Sequence, residues 1–335
     1  MEEFAAVSGI SRPTVSKYFN DPSSVRKSTR ERIEAALARH DYRPNIYAMN
    51  QNRRLTKNIG LVIPYLADPF FAEIARNIES LILAAGFTPI LLNSQGNPAH
   101  EVDNLDSLRA IKPAGVLLAP LGRASDRGAI EAFCADVPTV LFDSNIEGLG
   151  DAFFGSNNDQ SIGLIVDHLC DTGAPPVFFE MATPSNPNAL KRRRAYQRAM
   201  ERRGHAPCLI QVPGDGWDFE AIGFREGGRI IAEGGLPSDT ILCSNDRLAI
   251  GVLSAAYEMG RRVGSGTGHA LRIAGHDDHP FSRYTCPTLT TVSQDYAAIA
   301  ERSAQTLFDL IETEERAPVR QTKLFDGKLI LRGSA

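Results

Sequence analysis

The chain has 335 residues and five cysteines, and its formal net charge is −4. The length exceeds that of one ordinary domain, and no apolar run reaches the ~20 residues that a membrane-spanning helix needs. No secretory signal sequence opens the chain, and the cysteines are spaced too widely for a disulfide framework or a Cys-x-x-Cys metal site. We therefore expect reduced thiols, no membrane contact and a cytoplasmic location.

The charge is divided unequally along the chain. Residues 1–58 hold eleven Lys or Arg against six Asp or Glu, a balance of +5, whereas the remainder holds 25 against 34, a balance of −9. A basic head on an acidic body is the asymmetry expected when only the head contacts phosphate.

The first predicted elements are three short helices. The apolar stretch Phe4–Val7 precedes Gly9, and residues 9–20 predict a tight turn followed by a helix. Two short helices joined by a Gly-containing turn form a helix-turn-helix, whose second helix enters the DNA major groove. Ile33 and Leu37 share one face of a third helix.

The rest of the chain predicts a linker followed by two series of alternating strands and helices. Residues 45–57 are polar and basic with little periodicity. The first series has strands at 59–63, 89–92, 115–119 and 139–142, and helices near 69–85, 100–111 and 126–135. The second has helices near 159–171, 189–203, 219–233 and 247–259, and strands at 177–179, 209–212, 240–243 and 271–274. A helix near 295–312 and a strand near 328–331 end the chain. This alternation implies parallel sheets covered on both faces, and hence two similar α/β lobes.

Several motifs, in this order, resemble the lactose-repressor (LacI/GalR) family of bacterial transcriptional regulators. The motifs are Ala5-x-x-x-Gly9-Ile10-Ser11-x-x-Thr14-Val15-Ser16, Tyr42–Asn45, Ile59–Pro64, Asp68–Phe71, Ser244–Gly251, Gly275–Asp278 and Leu289–Val292. Each is weak alone, but their colinear occurrence covers nearly the whole chain.

The resemblance implies a helix-turn-helix head and a periplasmic-binding-protein-like core of two doubly wound parallel sheets. The expected divisions are the head at 1–44, a hinge at 45–58, lobe 1 at 59–157 plus 289–313, and lobe 2 at 158–288 plus 314–335. The first helix begins at the first residues without the capping Ser or Thr usual in the family, so we expect it to be truncated. A small-molecule effector would occupy the cleft between the lobes.

Helix geometry directs part of the second helix toward DNA. We expect Arg12, Pro13 and Lys17 to face base edges, where Arg or Lys on guanine is the commonest specific contact. Thr14, Ser16 and Asn20 would be available to phosphate. The alternative is that the charges are merely solvated.

The hinge departs from the family. Many members insert a leucine into the minor groove there and kink the operator, but alignment from Asn45 places Gln51 at that position. Either Met49 substitutes as the wedge, or this protein bends its operator weakly. The alternative is that the segment is a disordered tether.

The resemblance also nominates effector contacts. They are Asp68, Phe70, Phe71, Asp143, Asn188, Arg192, Trp217, Asn245, Asp277 and Gln294. Carboxylates and amides suit hydroxyl groups, Arg donates a planar fork, and an aromatic ring covers the apolar face of a sugar. Three alternatives stay open: either phenylalanine belongs to the core, Asn245 caps the next helix, or the Asp277–Asp278 pair caps a loop.

The sequence predicts no enzyme, cofactor or metal. It lacks the Gly-x-Ser-x-Gly, phosphate-loop and His-Glu-x-x-His motifs, and His276 beside Asp277 is a weak metal signal. We expect a dimeric regulator, presumed a repressor, that binds operator DNA and a sugar-like effector, since no leucine-heptad tail follows the last strand. The competing hypotheses are a transport-type sugar-binding protein, a cleft enzyme and an orphan regulator without effector.

Overall fold

The computed structural model describes residues 2–20, 22–40, 56–185, 187–266, 268, 271–313 and 320–335. It has two compact units, Met1–Thr56 and Lys57–Ala335. Within the described residues, no helix combines the length and apolarity needed to cross a membrane.

The first unit contains the predicted helix-turn-helix. Its helices are α1 (Glu2–Ser8), α2 (Arg12–Asn20) and α3 (Lys27–His40), with a 3₁₀ turn at Pro22–Ser24. Gly9 has a φ of 62°, a left-handed conformation that glycine adopts without strain and that lets the chain reverse between α1 and α2. Phe4, Ile10, Val15 and Ile33 form the buried core. So small a core supplies little stability.

The second unit opens with a six-stranded parallel sheet in the order β11-β5-β4-β3-β1-β2. Its strands are β1 (Asn58–Ile63), β2 (Thr88–Asn93), β3 (Gly115–Leu118), β4 (Thr139–Phe142), β5 (Ala152–Ser156) and β11 (Gln321–Phe325). The helices are α4 (Pro69–Ala84), α5 (Pro98–Ile111), α6 (Arg127–Asp136) and α11 (Tyr296–Thr313). Apolar residues of α4 and α11 cover one face, and those of α5 and α6 cover the other.

A four-stranded parallel sheet in the order β7-β6-β8-β9 forms the second lobe. Its strands are β6 (Val177–Met181), β7 (Leu209–Val212), β8 (Thr240–Cys243) and β9 (Arg272–Ala274), and its helices are α7 (Asn158–Thr172), α8 (Ala189–Arg202), α9 (Phe219–Ala232) and α10 (Asp246–Glu258). Helices α7 and α8 cover one face and α9 and α10 the other. The predicted two-lobed α/β core is therefore confirmed.

The structure corrects the predicted lobe boundaries in two places. Strand β11, assigned to lobe 2, pairs in parallel with β5 from Gln321↔Ala152 to Phe325↔Ser156 and so extends the sheet of lobe 1. Strand β10 (Thr291–Ser293), assigned to lobe 1, pairs with β12 (Lys328–Ile330). The bridge of Thr290 to Ala274 places the start of this segment beside β9 of lobe 2. The connections thus cross between lobes later than the motifs indicated, because strand pairing decides where they run.

Candidate DNA-reading surface and ligand cleft

The outer face of α2 carries the residues predicted to contact DNA. Arg12, Pro13 and Lys17 are exposed, Thr14 and Ser16 are half-buried, and Val15 on the opposite face is fully buried. The hydroxyls of Thr14 and Ser11 lie 2.8 Å apart, a local bond that closes the first turn of the helix. The side chain of Asn20 and the hinge residues Asn45, Met49 and Gln51 lie outside the described residues.

Lobe 1 contributes two carboxylates that follow strands of its sheet, Asp68 after β1 and Asp143 after β4. Asp68 caps α4 by accepting from the backbone N–H of Phe70 at 3.0 Å. Asp143 accepts from the side-chain amide of Asn188, of lobe 2, at 2.9 Å. Burial raises the pKa of Asp143 to about 7, although Lys191 opposes the shift. Burial likewise raises the pKa of Asp68.

Lobe 2 contributes an ion pair between the buried Arg192 and the half-buried Asp277. The Arg192 guanidinium, at the start of α8, donates to both oxygens of Asp277 at 2.6 and 3.3 Å. It also donates to the Ser244 carbonyl at 2.8 Å and to the Asn158 side chain at 3.2 Å. Gln294 adds a further donor to Asp277 at 2.6 Å. Burial alone would raise the pKa of Asp277, but the guanidinium outweighs it, and the pKa is lowered.

The nominated aromatic residues have different environments. Phe70 lines a cavity of about 360 Å³ together with Asp68, Arg247 and Asp277. Phe71 is fully buried among core residues, so of the two phenylalanines Phe71 is the core residue. Trp217 is 6% exposed and stacks on Tyr65 of lobe 1, with ring centroids 5.1 Å apart. The indole thus packs between the lobes.

Asn245, which was nominated, and His276, which was a weak metal signal, both have structural partners. Asn245 caps α10 by accepting from the Leu248 N–H at 2.8 Å, as the alternative interpretation held. His276 lies buried between the Ser161 hydroxyl, 2.9 Å from Nε2, and Asp277, 3.0 Å from Nδ1. This is the order of groups in a nucleophilic triad, but Ser161 is 1% exposed, so no substrate reaches its hydroxyl. Among the described residues, no group of three or more His, Cys, Asp or Glu is placed to hold a metal ion.

Sequence reasoning missed Arg247. Its guanidinium donates to Asp68 at 3.2 Å across the cleft and to both oxygens of Glu220 at 2.7 and 2.6 Å, and it lies 5.1 Å from the Phe219 ring. Helices α9 and α10 approach closely enough for Arg247 to reach Glu220. Gly251 permits this approach, because a Cβ at that position would lie 2.2 Å from the Glu220 carbonyl oxygen. The available signal was its position directly after Asn245-Asp246, where a strand ends and a helix begins.

A helix-turn-helix unit together with two parallel sheets whose strand ends meet at a polar cleft defines a ligand-binding regulator of DNA. The lacI family of bacterial regulatory proteins matches residues 1–45, and the periplasmic binding protein-like domain matches residues 166–335. The chain belongs to the lacI family, with a periplasmic binding protein-like core, and the predicted class of transcriptional regulator is confirmed.

Relatives of the full chain agree with this assignment. The HTH-type transcriptional repressor PurR of Histophilus somni (strain 129Pt) is 25% identical over 313 residues, which cover 93% of this chain and 92% of the relative. The Ribose operon repressor of Escherichia coli (strain K12) is 26% identical over 313 residues, which again cover 93% of this chain and 92% of the relative. A crystal structure of the Lac repressor dimer bound to operator and the anti-inducer ONPF has 26% identity and a TM-score of 0.83, covering 99% of this chain and 97% of that one.

Proposed function

We propose that this protein is a homodimeric repressor that binds an operator through two helix-turn-helix heads and responds to a small sugar-like effector. The observation that carries the proposal is the ion pair of the buried Arg192 with the half-buried Asp277, which lies at the strand ends that face the cleft. Ligands of open α/β sheets favour this position. Operator binding requires the protein to act in the cytoplasm, where the chromosome is. Catalysis is not part of the proposal, and the relatives are repressors.

The chemistry of the cleft suits a polyhydroxylated ligand. Asp143 and Asp277 accept hydrogen bonds from hydroxyls, and Arg192 and Asn188 donate them. Phe70 offers an apolar ring at the wall of the adjoining cavity, which suits the apolar face of a sugar. Two of the relatives point the same way, one a repressor of a ribose operon by its name and the other a Lac repressor bound to ONPF.

Contacts between the lobes give the effector a means of control. Asp68 bonds Arg247, Asp143 bonds Asn188, and Tyr65 stacks on Trp217, and every one of these contacts joins lobe 1 to lobe 2. A ligand that favours one angle between the lobes shifts the population toward it, provided that its affinity for the two states differs. In a dimer with two-fold symmetry, such a shift alters how the paired heads match two operator half-sites.

The test begins with selection of an operator from random DNA by the full-length protein. Fluorescence anisotropy then measures operator affinity with and without each member of a panel of sugars, sugar acids and nucleosides. We expect Lys17→Ala to weaken operator binding by about 1–3 kcal/mol while ligand-induced thermal shifts persist. Arg192→Ala should instead keep operator binding and lose the ligand response. If no DNA sequence is enriched, the proposal fails.

An orphan regulator is the second candidate, and one observation favours it. The Arg192 donors and Asp277 oxygens are already bonded inside the protein, through Asn158, Ser244 and Gln294, so a ligand must compete with them. Thermal shift with the same panel separates the two candidates. A protein that binds its operator but is stabilised by no compound is an orphan regulator.

A further inference from the structure

A second cavity, of about 440 Å³, adjoins the ligand cleft. Lobe 1 forms one wall through the segment between β4 and β5, and helix α8 of lobe 2 forms another. Ser156 and Asn158 line this cavity and also bond the cleft residues, since Ser156 donates to Gln294 and the Asn158 side chain accepts from Arg192 at 3.2 Å. A ligand in the cleft is therefore one side chain away from this cavity.

Basic side chains dominate the lining. They are Lys191, Arg194, Arg198 and Arg320, against the two acidic residues Glu147 and Asp159. Three of the four basic residues lie at positions 191, 194 and 198 of α8, a spacing that places them on one face of the helix. The cavity thus presents a row of positive charges along one wall.

Most of these charges have no carboxylate partner. Within the described part of the chain only Arg198 is paired, with Asp159. Lys191 donates to the amide oxygen of Asn145 at 3.0 Å and lies 5.5 Å from the Phe153 ring centroid. Arg320 donates to the backbone carbonyl of Gly150. Within the same described residues, the other three cations therefore have no carboxylate at ion-pair distance.

Of these three cations, Lys191 gives the strongest indication of a missing anion. It is half-buried, and burial lowers its pKa even though Asp143 acts in the opposite direction. A desolvated ammonium without an anion at contact distance is unfavourable. An anion in the cavity would supply the missing partner through a charge-assisted hydrogen bond, which is stronger than a bond between neutral groups.

We propose that this cavity binds an anionic group of the effector, a phosphate or a carboxylate, while the hydroxyls of the same ligand contact Arg192 and Asp277. This inference rests on the proposed ligand cleft and narrows its occupant to acidic sugar derivatives. Because the two walls belong to different lobes, the anion would also tie the lobes together. The apolar walls at Leu149 and Phe153 fit a compact ligand better than a long polyanion.

Isothermal titration calorimetry of the full-length protein with matched neutral and acidic sugars tests the inference. The probes are ribose with ribose 5-phosphate, glucose with glucose 6-phosphate, and glucose with glucuronate. At least one acidic member should bind about tenfold or more tightly than its neutral partner, with an advantage that shrinks as NaCl is added. The phosphate and carboxylate pairs distinguish the two anions. Equal affinity within every pair overturns the inference.

Variants on α8 locate the effect. Lys191→Gln and Arg194→Ala should each reduce the affinity for the acidic member by about tenfold and leave the affinity for its neutral partner unchanged. Arg194 is exposed, so its loss does not threaten folding. The matched control is Arg202→Ala, on the same helix but outside the cavity, where the guanidinium lies 3.7 Å from Asp167.

The outcomes separate this inference from the proposed function. If Lys191→Gln and Arg194→Ala lose no more affinity than Arg202→Ala, the anion does not bind here. If neutral sugars bind as well as acidic ones and Arg192→Ala abolishes both, the anion site is refuted while the sugar cleft stands. If no sugar of either kind binds, both fail together.

Discussion

The two sides of the cleft obtain partners for their charges in different ways. On lobe 1, Asp68 and Asp143 bond Arg247 and Asn188, which both belong to lobe 2. On lobe 2, Arg192 bonds Asp277 and two further groups of its own lobe. The lobe 2 pair is therefore preformed, whereas the lobe 1 carboxylates depend on the angle between the lobes. A ligand that changes this angle therefore alters the partners of the lobe 1 carboxylates and leaves the lobe 2 pair intact.

The pKa values of Asp143 and Asp277 differ in the same way. Burial raises the pKa of Asp143 to about 7 because no cation contacts it directly, and the Asp143 Oδ2 atom is buried without a partner among the described residues. Asp277 is half-buried, and its pKa is lowered because the Arg192 guanidinium and His276 outweigh the desolvation. The pKa of Asp143 is thus shifted upward and that of Asp277 downward, although both carboxyls lie at the same cleft.

Breaking the preformed pair should have the largest effect. Arg192→Ala leaves the half-buried Asp277 carboxylate without its cation, and we expect the free energy of unfolding to fall by about 3 kcal/mol in urea denaturation. The double variant Arg192→Ala/Asp277→Ala should lose less than the sum of the two single variants. Arg194→Ala, exposed on the same helix, is the control and should stay within about 0.5 kcal/mol. Additive single losses would show that the pair is not coupled.

The opposite pKa shifts predict opposite pH dependence. The folded state holds the Asp143 proton up to about pH 7, whereas an unfolded Asp loses it near ~3.9. Unfolding thus releases a proton between these values, and the free energy of unfolding falls as pH rises through this window, by about 1.4 kcal/mol per unit. Asp143→Asn should remove this contribution from pH-dependent denaturation curves. Contributions of the same sign remain from Asp246, whose pKa is also raised to about 7, and from Asp68, Glu101 and Glu180, whose pKa values burial raises.

Asp277→Asn should change how the free energy of unfolding depends on pH in the acidic range. A lowered pKa gives stability that is present above the unfolded value and is lost as pH falls through the folded value. The variant should therefore be less stable than the parent at neutral pH, and the two should converge in acid. If Asp143→Asn and Asp277→Asn alter the pH slope in the same direction, the proposed difference between the two sides is wrong.

Asp68→Asn tests the contact that depends on the lobe angle. Asn caps a helix as well as Asp does, so the bond to the Phe70 N–H survives while the charge that attracts Arg247 is lost. We expect a loss of about 1–3 kcal/mol in stability and a larger radius of gyration by small-angle X-ray scattering. Asp68→Ala also removes the cap and should cost about 1 kcal/mol more. Unchanged scattering would show that this bond does not hold the lobes.

Asn188→Ala should have the smallest effect. The substitution removes one hydrogen-bond donor from Asp143, worth about 1 kcal/mol of stability. Because this donor stabilises the charged carboxylate, the pKa of Asp143 should rise in the variant. The titration can be followed by NMR. Gln305→Ala, whose side chain bonds Asp309 on an exposed helix face, is a control for which no shift is expected.

Most elements could be predicted because their apolar residues repeat with helical or strand spacing. Strand β10, of only three residues, was not predicted, and neither were the longer strands β5 and β11. Strand β5 is buried along its whole length, so it shows no alternation of polar and apolar residues. Strand β11 is largely exposed, and its place is set by pairing with β5, a partner more than 160 residues away. Neither strand has a local pattern that distinguishes it from a loop.

The site shows the same limit. The resemblance to the family nominated Asp68, Asp143 and Asp277, and the structure places each of them after a strand, where ligand groups gather. Composition could not separate the four basic residues 191–194, and the resemblance selected Arg192 among them; the fold buries Arg192 and leaves Arg194 exposed. Arg247 was missed because its role depends on a hydrogen bond to Asp68, which is 179 residues away in sequence.

The sequence by itself determined the class of the protein, the helix-turn-helix head and the two α/β lobes, since these follow from short-range periodicity, turn residues and colinear motifs. Only the tertiary structure decided which lobe receives β10 and β11, which cleft charges are paired within a lobe and which across it, and where unpaired cations line a cavity. Those properties depend on burial and on contacts between distant residues, and the free energy of a charge is set by its surroundings rather than by its neighbours in the chain.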